Sequence, residues 1–290
     1  MPGHATAATR AYPEISGGGT NQWNGFTFNP AKEETYVFLE NVLREIAALF
    51  PGKYIHLGGD EVFFGNQSWR TDPAILKFTR DHGMTNSVEL EQYFIRRMAG
   101  VIHQLGKTTL GWDEIADAGV NPSQSAVMWW HHEKPAILTQ ALAKGFPVVL
   151  CPRLPCYFDF VQDATHQVGR RWKDKFVPLT DVYKFPTPEI TALIPVGKES
   201  NVLGVEACLW TERIQNRARL DFMTYPRLAA LAEAAWTPAA VKNETDFLDR
   251  LHRFLRELDR RQIPYYNPFD PAQTPEPPGP VKKTGGTANG

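Results

Sequence analysis

Short apolar runs alternate with amphipathic helical segments along most of this chain, and that rhythm restricts the fold more than any other feature. Parallel strands need a crossover between them, so strand–helix alternation predicts a parallel sheet covered by helices, an α/β fold. The strand candidates are residues 53–57, 108–112, 126–130, 147–151 and 201–208. Asn29-Pro30 reads as the N-cap and first residue of a helix. Leu39, Val42, Leu43, Ile46 and Leu49 follow at helical spacing, up to Pro51-Gly52. Ser87 is expected to cap the next helix, with Leu90, Phe94, Ile95, Val101, Ile102 and Leu105 on one face and Gly106 closing it. Further helices are expected over about 135–144, 222–235 and 244–261. An open doubly wound sheet and a (β/α) barrel both fit this order, and no glycine-rich dinucleotide fingerprint follows any strand. No internal repeat is visible.

The 290 residues suit one large domain or two small ones, and 42% hydrophobic residues allow a sizeable core. Lys plus Arg number 31 against 32 Asp plus Glu, a net charge of -1. That balance argues against a nucleic-acid partner or a polybasic membrane surface. No apolar run approaches the roughly 18 residues of a membrane span. Three cysteines cannot all pair internally, so a disulfide scaffold is excluded. Cys151, Cys156 and Cys208 read as small strand-end hydrophobes. Seven prolines fall in the last 27 residues, so residues 271–290 are expected to be a disordered tail behind a domain of residues 1–270.

In parallel α/β folds the active site lies beyond the C-terminal ends of the strands. Those ends carry His56-Leu57-Gly58-Gly59-Asp60-Glu61, Gly111-Trp112-Asp113-Glu114, Trp129-Trp130-His131-His132, Cys156-Tyr157-Phe158-Asp159 and Leu209-Trp210-Thr211-Glu212. Flat apolar walls and carboxylate acceptors recurring at one end of a sheet suit a polyhydroxylated ring. Adjacent Asp60 and Glu61 can share one cleft only if the strand has ended and the chain turns, which Gly58-Gly59 permit. Two close carboxylates push their pKa values apart, giving one acid and one anion near neutrality. An Asp-Glu pair without that setting is more often a solvated strand-end pair or a helix N-cap. His131-His132 reads as a pair of solvated loop histidines. With no HExxH and no tight His/Asp cluster, neither a metal nor another cofactor is expected.

Taken in order, these motifs resemble glycoside hydrolase family 20, the β-N-acetylhexosaminidases. The resemblance rests on His56-Leu57-Gly58-Gly59-Asp60-Glu61-Val62, Gly-Trp-Asp-Glu at 111–114, Tyr157 and Asp159, and Leu-Trp-Thr-Glu at 209–212. Tyr225-Pro226-Arg227 and the run at 232–236 resemble the following helix, and Met1-Pro2-Gly3-His4 resembles a motif ending the family's third barrel strand. The resemblance implies a partial (β/α)8 TIM barrel, with about five C-terminal strand–helix units present. It implies a retaining hydrolase that releases terminal β-linked N-acetylhexosamine, with the substrate's own acetamido oxygen as nucleophile. Glu61 is then the general acid and base, Asp60 holds the acetamido N–H, and Tyr157 donates to its oxygen. Trp112, Trp130 and Trp210 wall the sugar, Asp159 and Glu212 accept from its hydroxyls, and His4 supports the catalytic glutamate. For the third strand end, Trp129 beside Trp130 keeps the choice of wall residue open.

The resemblance also implies that the first two strands and most of the third, with an arginine that grips substrate and an Asp-rich motif, have no counterpart here. A truncated chain is therefore expected, with exposed barrel edges that favour self-association or poor solubility and with weak or no turnover. The partner is an oligosaccharide or glycoconjugate. The chain opens without a basic-then-apolar leader, and no cellular location is inferred from a start that resembles an internal segment. A non-catalytic carbohydrate-binding or vestigial protein is the alternative. Another is a barrel glycosidase whose nucleophile is a protein carboxylate.

Overall fold

The computed structural model describes residues 2–18 and 25–279, with side chains from Ala5 onward. Five strands form one sheet in the order β1-β2-β3-β4-β5: Tyr54–His56, Thr108–Trp112, Ser125–Trp129, Val148–Leu150 and Val202–Val205. The first three are parallel, with Ile55 opposite Thr109 and Leu110 opposite Ala126. Every expected strand is present, 108–112 to the residue and the other four trimmed or shifted by a few residues at their ends. The chain divides into two compact units: Met1–Val149 with Ile194–Leu203, and Leu150–Leu193 with Gly204–Gly290.

In the first unit the helices are α1 (Pro2–Ala11), α2 (Glu33–Leu49), α3 (Pro73–Asp81), α4 (Ser87–Gln104) and α5 (Pro135–Ala143). β3 is buried along its whole length, as a central parallel strand must be. α4 buries Leu90, Ile95, Met98 and Ile102 at helical spacing. β1 exposes Tyr54 and His56 and buries Ile55, the pattern of an edge strand. On α2, Val42 and Leu49 are exposed although the spacing marks them as core-facing.

Three local expectations are corrected here. Asn29 does not cap α2, which starts at Glu33; its Oδ1 accepts from Ala31 N and its carbonyl from Thr35 Oγ1, so both are satisfied one turn earlier. α4 is capped by Asn86 rather than Ser87, with Asn86 Oδ1 accepting from Val88 N and Glu89 N. α3 was not anticipated, although Asp72-Pro73 supplies an N-cap and a pre-set first turn, and Asp72 accepts from Ala74 N and Ile75 N.

The second unit holds α6 (Leu179–Lys184), α7 (Arg217–Thr224), α8 (Arg227–Trp236) and α9 (Glu244–Arg260). The single helix expected over 222–235 is two, because Pro226 has no N–H to continue the ladder. α9 is strongly amphipathic, burying Phe247, Leu251, Leu255 and Leu258. Residues 271–279, expected as the start of a tail, are held to the second unit by Glu276, which accepts from Gln167 N, Val168 N and Arg219 Nη1 of a buried guanidinium. Residues 280–290 of the expected tail lie outside the described residues. Among the described residues, no helix is long and apolar enough to cross a membrane.

Candidate active site

At the end of β1 the backbone reverses through three left-handed residues. Gly58 has φ 84°, Gly59 φ 99° and Glu61 φ 54°. Glycine is needed at 59, where a Cβ would also approach Ile115 Cγ2 to 3.0 Å. A non-glycine residue in the left-handed region costs free energy that the surrounding structure must offset, and such residues cluster at functional sites. The turn leaves Asp60 and Glu61 half-buried. Gly58 N donates to His56 Nδ1 at 3.0 Å, and the His56 ring meets Trp112 edge-on at 4.9 Å.

After β2, Asp113 is buried and acts as a staple for the end of β3. Its Oδ2 accepts from Trp130 N and His131 N, both at 3.1 Å, and its Oδ1 pairs with His131 Nδ1 at 2.7 Å. Glu114 Oε2 accepts from the Trp130 indole Nε1 at 3.2 Å. After β3, Trp129 is fully buried, and Trp130, also buried, faces Glu114. His131 is not a solvated loop residue; it is buried against Asp113, where the carboxylate satisfies it. Asp113, Glu114 and His131 also form a tight His/carboxylate group, contrary to the sequence-based expectation, and one compact enough for a metal ion. Both Asp113 oxygens already accept hydrogen bonds within the group.

Acidic groups accumulate at this end of the first unit. Burial, with the Asp113 carboxylate beside it, pushes Glu114 up to about 8. Burial and then Asp60 push Glu91 on α4 up to about 7. Glu91→Gln is therefore expected to flatten the pH dependence of stability. A carboxyl raised in the fold favours the folded state fully below its unfolded value of 4.5, and progressively less as pH rises through 7. Denaturant unfolding of both proteins between those two pH values checks this, and equal slopes would contradict it.

The second unit carries the remaining strand-end residues. Tyr157 and Cys208 form a parallel bridge, with Phe158 N donating to Cys208 O at 2.7 Å. Tyr157 is buried, its ring edge-on to Trp210 at 5.8 Å. Burial raises the Tyr157 hydroxyl, so it remains a proton donor at neutral pH. Cys151, Cys156 and Cys208 are buried thiols, and burial holds Cys156 protonated. Asp159 Oδ2 accepts from Arg170 Nε at 2.6 Å, and Glu212 is exposed with Oε1 4.0 Å from Arg170 Nη2. Asp159, Arg170, Trp172, Trp210 and Glu212 line a cleft of about 210 Å³. The His4 side chain lies outside the described residues. Glu91, Arg170 and the stapling role of Asp113 were not anticipated. Asp113 lies inside the Gly-Trp-Asp-Glu motif at 111–114, but nothing in the sequence around Glu91 or Arg170 marks them.

A parallel α/β sheet with carboxylates and indoles gathered past its strand ends is the arrangement of the barrel-related α/β folds. The family model described as "Glycosyl hydrolase family 20, catalytic domain" matches residues 1–239, and the chain belongs to that family. It is 35% identical to a beta-hexosaminidase of Porphyromonas gingivalis over 96% of this chain and 35% of that protein. It is 32% identical to a beta-N-acetylhexosaminidase of Cellulomonas fimi over 90% of this chain and 49% of that protein. Its structure is similar to that of an exo beta-N-acetylglucosaminidase from Vibrio harveyi in complex with N-acetylglucosamine, with TM-score 0.81 and 33% identity over 93% of this chain and 43% of that one. The chain thus spans about a third to a half of the length of these relatives.

Proposed function

We propose that this chain carries the catalytic face of a retaining β-N-acetylhexosaminidase acting by substrate assistance. The observation that carries the reading is the β1 end, where Gly58 and Gly59 turn the chain and Glu61 is held left-handed beside Asp60. Each role attaches to the residue that matches the family motif. Glu61 gives its proton to the glycosidic oxygen as the bond from C1 breaks. The acetamido carbonyl oxygen of the substrate attacks C1 and forms an oxazolinium ion. Asp60 accepts from the acetamido N–H and balances the positive charge. Tyr157, held protonated by burial, donates to the acetamido oxygen and aims it. Glu61, now a carboxylate, takes a proton from water as that water attacks C1, so configuration is retained. Trp112, Trp130 and Trp210 wall the sugar and its acetamido methyl, and Asp159 and Glu212 accept from hydroxyls.

The substrate is a glycan with a terminal β-linked N-acetylglucosamine or N-acetylgalactosamine. The test is a pair of chromogenic substrates, an N-acetyl-β-glucosaminide and the matching β-glucoside. Hydrolysis of the first and not the second is expected. Equal hydrolysis points to a protein carboxylate as nucleophile, and sugar binding with no hydrolysis points to a carbohydrate-binding protein.

A further inference from the structure

Arg170 stands between two carboxylates in the second unit. Its Nε donates to Asp159 Oδ2 at 2.6 Å, and its Nη2 lies 4.0 Å from Glu212 Oε1. The guanidinium rests on the face of Trp172, 4.1 Å from the ring centroid. The backbone fixes the same residue: Arg170 N donates to Asp159 O at 2.8 Å, and Arg170 O accepts from Val161 N at 3.2 Å. Asp159 is 5% exposed, and its Oδ1 is buried with no hydrogen-bond partner among the described residues. A buried acceptor left open is unfavourable until a donor completes it. All four side chains line the 210 Å³ cleft.

We propose that Arg170 is a positioning residue: by engaging Asp159 Oδ2 and facing Glu212, it sets the spacing of the two acceptors and leaves Asp159 Oδ1 open to a ring hydroxyl of a neutral sugar. This rests on the reading of Asp159 and Glu212 as sugar acceptors given above. The ion pair has an electrostatic task as well. Burial raises the Asp159 carboxyl, Arg170 opposes that rise, and Glu212 adds to it. The buried guanidinium of Arg227 also feels the Asp159 charge. Removing Arg170 leaves Asp159 closer to neutral and a poorer acceptor.

Two readouts on the full chain test this. The first is the protonation midpoint of Asp159, followed by carboxyl-carbon NMR. It is expected to rise in Arg170→Gln and to stay near wild type in Arg170→Lys, which keeps the charge. No rise in Arg170→Gln overturns the proposal. The second is calorimetric binding of N-acetylglucosamine and of its mono-deoxy analogues. Arg170→Gln is expected to weaken N-acetylglucosamine roughly fivefold or more, the loss of about one hydrogen bond. The analogue lacking the hydroxyl that Asp159 accepts should lose far less. Equal losses for every analogue overturn the positioning role. A wild-type chain that binds none of these sugars overturns the sugar-acceptor reading, and with it the ligand half of this proposal, while the Asp159 titration still decides the ion pair.

Discussion

Glu61→Gln is expected to lower the turnover of a chromogenic N-acetyl-β-glucosaminide by about 10²–10⁴-fold while leaving sugar binding close to wild type. The amide keeps the shape of the side chain and its left-handed backbone at the β1 end. It can neither give a proton to the leaving oxygen nor take one from water. The lost interaction exists only in the transition state, so the loss falls on kcat rather than KM. Asp60→Asn and Tyr157→Phe should each cost on the order of 10²–10³, like the loss of one donor or counter-charge aimed at developing charge. Their losses should be confined to substrates with the 2-acetamido group. A Glu61→Gln protein with undiminished turnover would remove Glu61 from the chemistry. Equal losses with and without the acetamido group would remove Asp60 and Tyr157 from the roles given to them.

Arg227→Met is expected to be the most destabilising single change in the second unit. Arg227 is fully buried at the start of α8. Its Nη1 donates to Phe160 O at 2.9 Å and Val177 O at 3.2 Å, and its Nη2 to Phe158 O at 2.6 Å and to Met223 O. The guanidinium also lies over the Phe158 ring, 4.6 Å from its centroid. One side chain thus satisfies four buried carbonyls, two of them flanking Asp159 in sequence. Methionine matches the volume but donates nothing. Leaving those carbonyls unpaired should cost at least about 3 kcal/mol. At roughly 2–4 °C per kcal/mol for a chain of this size, the unfolding midpoint should fall by about 10 °C. Arg227→Lys should fall between the two, because a single ammonium cannot spread over the same fork of acceptors. Thermal unfolding of the three proteins measures this, and an unchanged midpoint for Arg227→Met would show that water or relaxation replaces the guanidinium.

Much of this was legible in the residues. The strand at Thr108–Trp112 was found to the residue, since glycine at one flank and charge at the other leave little slack. The amphipathic period of α9 foretold its start, and its end to within a residue. Helix starts were read less well at Asn29, Ser87 and Asp72. A cap is decided by which side chain reaches the first free N–H groups, and neighbouring polar residues compete for that place. The break at Tyr225-Pro226 lay in the sequence as a proline, but the hydrophobic period ran across it.

The sequence by itself determined the parallel α/β architecture, because alternating strands and helices admit few other arrangements. It also determined which residues stand past strand ends, because glycines and carboxylates mark where an apolar run must stop. Only the tertiary structure decided what those residues do to one another. Trp129 and Trp130 are equivalent as letters, yet Asp113 and Glu114, sixteen or more residues earlier, hold Trp130 at the strand end while Trp129 is sealed in the core. His131 reads as a wet loop residue until the same Asp113 is found against it. Arg170 and Arg227 look like ordinary surface charges in the sequence. Whether an arginine is solvated, paired or buried depends on carboxylates and carbonyls that only the folded chain brings within 3 Å of it.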